Sequence, residues 1–460
     1  MIFIITKNDC LDVNITDVTS EGCGVAKPNG YPLFIKGGVT GDVLNVTVTK
    51  TNKSYGFAKI NKIITPSEYR TEPKCAIADL CGGCDFMHID YCMQQKIKSD
   101  IVKNNIIRIG GADEDSFVYE GIVGGERVFN YRTKAQFPVG MHKGKVVCGF
   151  YSRKSHEIVP ADNCLIQNEE INKAVKIFLE YANKYKVSVY NEKNHTGILR
   201  HIYVRTGHNT GEMLVVIVTN SKKRLPHQDE LINSLKSLEN LKGVLQNINA
   251  EKTNLVLGKE SRILYGENAI VSQIGNLRFA ISAESFFQVN EEQTYKLYLK
   301  ALEYAELSNN ETVFDLYCGV GSISLFLSQK AKKVIGVEIV EKAIENAKQN
   351  ARLNGITNAE FYAGDCEKTV GELIQKGESA DVVVVDPPRK GCSEKLLEFL
   401  NEISPKKIVY VSCNSATLAR DIKILSQYGY KLKKVCAVDM FPNSGHCESV
   451  ALLVRTDSSI

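Results

Sequence analysis

Thr312-Val313-Phe314-Asp315-Leu316-Tyr317-Cys318-Gly319-Val320-Gly321-Ser322 reads as an apolar strand that breaks into a glycine turn and enters a helix. Further on, Val334-Ile335-Gly336-Val337-Glu338 ends a second strand in an acid, and Asp365 follows a third run, Ala359 to Gly364. Three more strand ends carry reactive groups: Asp386 after Val382 to Val385, Cys413 after Val409-Tyr410-Val411-Ser412, and Glu448 within Gly445-His446-Cys447-Glu448-Ser449-Val450. Short apolar strands alternating with helices specify an α/β fold with an open, doubly wound sheet. Such sheets keep their ligands and chemistry at the carboxyl ends of the strands.

The turn itself selects a ligand. Glycines let backbone approach a bound molecule, and Glu338 is placed to accept the two hydroxyls of a ribose. Only two glycines form the turn, however, and Asp315 at its start puts negative charge where a pyrophosphate would sit. S-adenosylmethionine, with an amine and a sulfonium but no phosphate, fits Asp315, Gly319, Glu338 and Asp365 better than a dinucleotide, Asp365 being positioned for an adenine amino group. A thiol, two carboxylates and Arg389 converging on the same mouth point to covalent catalysis, with Cys413 as nucleophile.

Outward from this C-terminal part, 460 residues with 43% hydrophobic content suffice for several cores. Residues 1–70 alternate with period two between glycine turns, as in Asp42 to Val48, and predict a small OB-like β-barrel. Residues 71–285 predict a central α+β domain, with a helix over 90–110 that can pack on the C-terminal domain, which spans 286–460. The start lacks a basic leader and no run of about 18 apolar residues occurs, so a cytoplasmic protein without a membrane segment is expected.

Fourteen cysteines in such a compartment favour metal or catalytic roles over disulfides. Cys75, Cys81 and Cys84 crowd around Gly82-Gly83, with Cys164 available as a fourth ligand. Thiolates select iron-sulfur clusters or zinc; the uneven spacing makes a 4Fe-4S cluster the first expectation and zinc the second. A net charge of +4 does not by itself argue for nucleic acid. Local mixtures of cations and aromatics around Arg132, Lys134, Arg153 and Lys154 do, since they grip phosphates and stack bases, although solvated edge strands would read the same way.

Taken together, the cysteine spacing, Ser285-Phe286-Phe287-Gln288-Val289-Asn290, Asp315 to Gly321, Asp386-Pro387-Pro388-Arg389-Lys390-Gly391, Ser412-Cys413-Asn414 and His446 to Val450 resemble the RNA uridine-5 methyltransferases that act on large-subunit ribosomal RNA. The resemblance runs through nearly the whole chain. It departs at Ser415, where that family often has proline. It implies a Rossmann-like methyltransferase domain, a TRAM barrel that binds RNA, a 4Fe-4S centre on the four cysteines, and Gln288, Tyr317, Glu338 and Asp386 around S-adenosylmethionine. It further implies that Cys413 adds to carbon 6 of uracil, that Glu448 removes the carbon 5 proton, and that Asp386 holds the ring. Phe287 is expected to stack on a base of the RNA, and the enzyme is expected to be monomeric. Shorter relatives without barrel and cluster act on transfer RNA, so a transfer RNA enzyme is the second reading. An amino-group methyltransferase would have no use for Cys413, a radical enzyme would need Cys-x3-Cys-x2-Cys, and a noncatalytic RNA-binding protein would not place Cys413, Asp386 and Glu448 at strand ends.

Overall fold

A computed structural model describes residues 5–456 apart from 154 and 162. Its C-terminal body is an eight-stranded sheet in the order Ala359–Ala363, Lys333–Glu338, Thr312–Leu316, Val382–Val385, Lys407–Ser412, Glu448–Arg455, Tyr430–Val438 and Val118–Val123. The first five strands are parallel, and Glu448–Arg455 runs against both its neighbours. The four valines of Val382–Val385 show why these strands are continuous apolar runs. Val382 and Val384 pack into one core with Leu297, Ile323 and Ala347, whereas Val383 and Val385 pack into another with Leu396, Leu418 and Val370. Both faces are covered by helices, so no position on the strand can be polar without a partner.

Two elements of this body come from early in the chain. Tyr91–Arg108 is a helix capped by Asp90, whose carboxylate accepts from Cys92 N at 2.9 Å. It buries Val102 and Ile106 in the C-terminal core, and Asn105 donates to Ser415 Oγ at 2.8 Å. The strand Val118–Val123 then pairs in parallel with Tyr430–Val438 as the sheet's edge. The central domain expected over residues 71–285 takes in this strand; strand pairing puts 118–123 on the C-terminal sheet instead. Lys98 on the helix is fully buried, and its Nζ donates to Asp439 Oδ1 at 2.6 Å and to Phe441 O at 3.0 Å. Removing one partner of such a pair leaves an uncompensated buried charge, at a cost of about 3–5 kcal/mol.

The barrel is a six-stranded sheet built from Cys10–Asn14, Asp17–Val18, Cys23–Ala26, Leu33–Lys36, Val43–Thr51 and Gly56–Thr65, curled around Val13, Leu33, Ile35, Leu44, Val46 and Ala58. The central body is a seven-stranded sheet with Leu199–Thr206 in the middle; the next strand, Met213–Thr219, is buried along its whole length, and the helix Glu169–Lys184 packs into the same core. The barrel packs Val18 and Val39 against Met93 and Ile97 of the helix Tyr91–Arg108, and one of its contacts with the C-terminal body is very close: a Cβ on Gly445 would lie 1.7 Å from Ser20 O. Only glycine lets those two backbones approach so closely. No helix among the described residues is long and apolar enough to cross a membrane.

Candidate active site

Strand register assembles the mouth. Leu316 pairs with Val385, Val385 with Tyr410, and Ser412 with Ser449. One step past each pair, Asp386, Cys413 and Glu448 leave three adjacent strands at the same end of the sheet. Asp315 lies inside the neighbouring strand and Glu338 ends the next.

The turn after Asp315 shows a division of labour between its glycines. Gly319, at φ 56°, has open space where a Cβ would project, whereas a Cβ on Gly321, at φ 80°, would meet Ala347 Cβ and the Phe361 ring at 3.0 Å. Gly319 keeps the ligand side clear and Gly321 lets the following helix close on the sheet. Gly319 N donates to Glu338 Oε2 at 3.3 Å and Val340 N donates to Oε1 at 3.0 Å, so the Glu338 carboxylate is held in one orientation. Ile339 and Val340 beside it are exposed apolar side chains, a surface suited to an adenine ring. Asp365 is exposed at the cap of helix Cys366–Gln375, accepting from Lys368 N at 3.2 Å.

Asp315 is fully buried. Its Oδ2 accepts from Ser324 Oγ at 2.5 Å, but its Oδ1 has no partner. An orphaned buried carboxylate oxygen beside an open glycine turn is a fit for an ammonium or sulfonium ligand. Burial, the neighbouring Asp386 and Glu338 push its pKa up to about 7, against the pull of Ser324.

The chemistry-bearing groups perturb one another. Cys413 is half-buried, and its thiol is pushed up to about 11 by burial, then by Glu448 and Asp386, with Arg389 acting the other way. Glu448 is buried and raised to about 8 by burial and by Asp386, opposed by Arg389. Burial alone raises Asp386 to about 7. Three carboxyl groups with raised pKa values around one cleft would each be relieved by a cationic ligand. The Pro387-Pro388 loop is tied to the nucleophile's helix: Asn414 Nδ2 and Thr417 Oγ1 donate to Arg389 O at 3.3 and 3.5 Å. Asp421, buried, accepts from Tyr410 OH at 2.6 Å and from Cys392 N at 2.9 Å at the loop's far end.

Gln288 is buried in the segment that crosses from the central body to the mouth. That segment is held by residues that belong to no sequence motif. Arg205, itself buried, donates to Ser282 O at 3.0 Å and Ser285 O at 2.8 Å. Thr133 N donates to Val289 O at 2.8 Å, and Asn290 Nδ2 to Met440 O at 3.0 Å. The loop leading to Glu448 is likewise braced by Gln94, which bonds Asn443 in both directions, at 2.9 and 3.2 Å. Tyr317 sits at φ 68° above the turn, partly buried against the C-terminal core.

Phe287 is a correction. It is buried in the core, its ring 5.5 Å from that of Phe279, and cannot reach a base; Phe286, 69% exposed, is the ring that faces outward. The cations expected to contact RNA have the following surroundings. Arg132 and Lys134 line the cysteine cavity, where burial and the nearby Arg205 and Arg132 push Lys134 down to about 8. Arg153 is ion-paired to Asp85. Lys154 lies outside the described residues.

Cys75, Cys81, Cys84 and Cys164 line one cavity of about 270 Å³ between the segment 75–84 and the central sheet. Cys84 is pushed up to about 12 by burial and by the other three. Among the described residues no group of three His, Cys, Asp or Glu is arranged to hold a metal ion.

Residues 122–456 match the family model described as tRNA (Uracil-5-)-methyltransferase, and residues 6–60 match the TRAM domain. A protein of Clostridium tetani named an uncharacterized RNA methyltransferase is 50% identical over 450 residues, which cover 98% of this chain and 97% of that one. A similarly named protein of Halalkalibacterium halodurans is 46% identical over 450 residues, covering 98% of each. Among solved structures, the Pyrococcus abyssi tRNA (uracil-54, C5)-methyltransferase in complex with S-adenosyl-L-homocysteine is similar over 96% of this chain and 100% of its own, with a TM-score of 0.77 and 27% identity.

Proposed function

Since the chain belongs to the tRNA (uracil-5-)-methyltransferase family, whose members are S-adenosylmethionine-dependent RNA methyltransferases, we propose that it methylates carbon 5 of a uridine in large-subunit ribosomal RNA through a covalent Cys413 adduct. The observation that carries the reading is the emergence of Asp386, Cys413 and Glu448 from adjacent strands at one mouth, beside the orphaned Asp315 carboxylate.

Carbon 5 of uracil is a poor nucleophile. Cys413 Sγ adds to carbon 6, forming the S–C6 bond and moving the C5=C6 π electrons toward O4 as an enolate. In this reading Arg389 stabilises that charge and Asp386 hydrogen-bonds the imide. Bound S-adenosylmethionine supplies an electrophilic methyl group on a sulfonium, which leaves as a thioether once carbon 5 takes the methyl. Glu448 then removes the carbon 5 proton; those electrons restore C5=C6 and expel the Cys413 thiolate. Burial and the two carboxylates raise the thiol's pKa, so its proton leaves as the S–C6 bond forms and passes to solvent at the half-buried mouth. Phe286 is the aromatic placed to stack on a base turned out of the RNA, a rearrangement that costs a few kcal/mol.

Binding of the methyl donor should be coupled to protons. Asp315 and Asp386 have values near 7 and Glu448 near 8 in the free protein, and an arriving cation favours their ionised forms. The complex therefore holds fewer protons than the free protein, so affinity rises with pH from about 6 to 8. Titration calorimetry of S-adenosylmethionine in two buffers of different ionisation enthalpy should show proton release at pH 7, and a larger thermal stabilisation at pH 8 than at pH 6. A flat profile would contradict the binding of a cationic donor beside these carboxylates.

The four cysteines are read as ligands of a 4Fe-4S cluster with a structural role, zinc being second. One shared cavity supports this, with Arg132 and Lys134 on its wall to offset thiolate charge. A single tetrahedral zinc needs sulfurs packed at about 2.3 Å from one point, whereas a cluster spans a wider cage. Turnover that survives cluster reduction in a folded sample is the expected result; strict dependence on its oxidation state would overturn the structural role.

The likeness to an enzyme named for tRNA uracil-54 over nearly the full chain favours a second reading, a transfer RNA target. Radiolabelled methyl transfer to unmodified 23S ribosomal RNA and to unmodified transfer RNA transcripts decides between them: the account expects the ribosomal RNA to be labelled at a uridine, and label in transfer RNA alone would move the assignment.

A further inference from the structure

The outer face of the barrel carries aromatic rings its core does not need. Strands Leu33–Lys36, Gly56–Thr65 and Val43–Thr51 lie side by side, and their period-two alternation sends Leu33, Ile35, Ala58, Leu44, Val46 and Val48 inward. Phe34 and Phe57, directly paired across two strands, point the other way and are joined by Tyr55. The three rings form one cluster, with centroids 5.7 Å (Phe34–Tyr55), 5.9 Å (Phe34–Phe57) and 5.7 Å (Tyr55–Phe57) apart. Tyr55 and Phe57 are each 39% exposed. An aliphatic core already fills the barrel, so these rings gain nothing from it, and an exposed aromatic cluster marks a contact surface.

The charge around the cluster says what the contact is. The stretch 50–65 contains Lys50, Lys53, Lys59 and Lys62 and no acidic residue, and all four lysines are exposed. None of them forms an ion pair among the described residues. Lys59 follows Phe57 on the same face of the strand, and Lys50 pairs with Phe57 from the neighbouring one. Rings for base faces, flanked by unneutralised cations for phosphates, are the composition of a single-strand platform. A duplex hides its base faces and offers the rings nothing; a protein partner would leave four lysines uncompensated unless it were itself acidic.

We propose that Phe34, Tyr55 and Phe57, with Lys50 and Lys59, bind an unpaired segment of the RNA substrate by stacking its bases, independently of their identity. The proposal rests on the RNA substrate assigned above and adds the surface and the strandedness of what it holds. Remote grip of this kind is how an enzyme meets the cost of turning one base out of the fold.

The test uses the full chain and fluorescently labelled twelve-nucleotide oligoadenylate and oligocytidylate, which contain no uridine and so cannot react. Anisotropy titration should show both bound, with the double substitution Tyr55→Ala/Phe57→Ala weakening each at least tenfold and Tyr55→Phe/Phe57→Tyr leaving them within twofold. Lys50→Gln/Lys59→Gln should flatten the salt dependence. As a measurement independent of any variant's folding, an oligomer carrying 5-bromouridine should photo-cross-link to Tyr55 or Phe57 in wild type. Equal binding by wild type and the alanine variant, absence of binding by wild type, or cross-links confined to other surfaces would each overturn the proposal. If uridine methylation stands while these fail, only the platform is wrong; if the platform holds and no uridine RNA is methylated, the catalytic reading is what fails.

Discussion

Cys413→Ala should lower methyl transfer by at least about 10³-fold while leaving donor binding within twofold of wild type. No other thiol can take over. Cys447, beside Glu448, donates its Sγ to Val438 O at 3.4 Å and Glu448 O at 3.3 Å and is turned into the sheet. Without addition at carbon 6, carbon 5 lacks the electron density to attack a methyl group, and no arrangement of Asp386 or Arg389 substitutes for a covalent bond. The donor site, by contrast, rests on Asp315, Gly319 and Glu338, on or just after the two strands that lie beyond Val382–Val385 from Cys413. Single-turnover transfer of labelled methyl, together with calorimetry of S-adenosylmethionine, separates the two effects. A variant retaining a tenth of the wild-type rate would remove the nucleophile from the account.

Glu448→Gln should block turnover by about 10²–10⁴-fold at a different point, after methyl transfer. The amide cannot accept the carbon 5 proton, so with ordinary uridine RNA a methylated protein–RNA adduct should accumulate and survive denaturing gel electrophoresis. The carboxyl of the wild type is raised to about 8 in the free protein by burial and by Asp386. The rate of product release should therefore fall as pH drops and the base stays protonated, and Gln at 448 should abolish that limb. Normal turnover by the variant would take Glu448 out of the role. Retained turnover in Asp386→Asn would similarly show that the uracil ring is held elsewhere.

The reactive end of the sheet was legible because buried parallel strands are written as unbroken apolar runs. Val382 to Val385 and Ile408 to Val411 announce themselves, and whatever residue follows such a run stands at a strand end. The order acid, glycine turn, acid carried the donor site for the same reason. The strand Val118–Val123 cannot be assigned to its sheet from sequence because it contains Gly121 and the strand it pairs with, Tyr430–Val438, lies near the other end of the chain. Pairings such as Lys98 with Asp439 and Gln94 with Asn443 leave no local trace; each residue alone reads as an ordinary polar position on a helix or loop. The surroundings of the expected RNA-contact residues are illegible for a related reason. A cation next to aromatics in sequence says nothing about which face it occupies, and Arg132 lies over the ring of Phe441, far along the chain. With Phe286 and Phe287 adjacent, alternation guarantees that one faces inward, but the sequence does not say which.

The central claim, a covalent bond between Cys413 and carbon 6 of uridine in the course of methylation, is tested most directly with RNA substituted by 5-fluorouridine and supplied with S-adenosylmethionine. Fluorine cannot leave as a proton, so Glu448 cannot release the adduct once carbon 5 has been methylated. Wild type should form a denaturation-resistant protein–RNA cross-link of one chain per target site, and Cys413→Ser should form none. No cross-link in wild type, or an equal one in Cys413→Ser, would contradict the account.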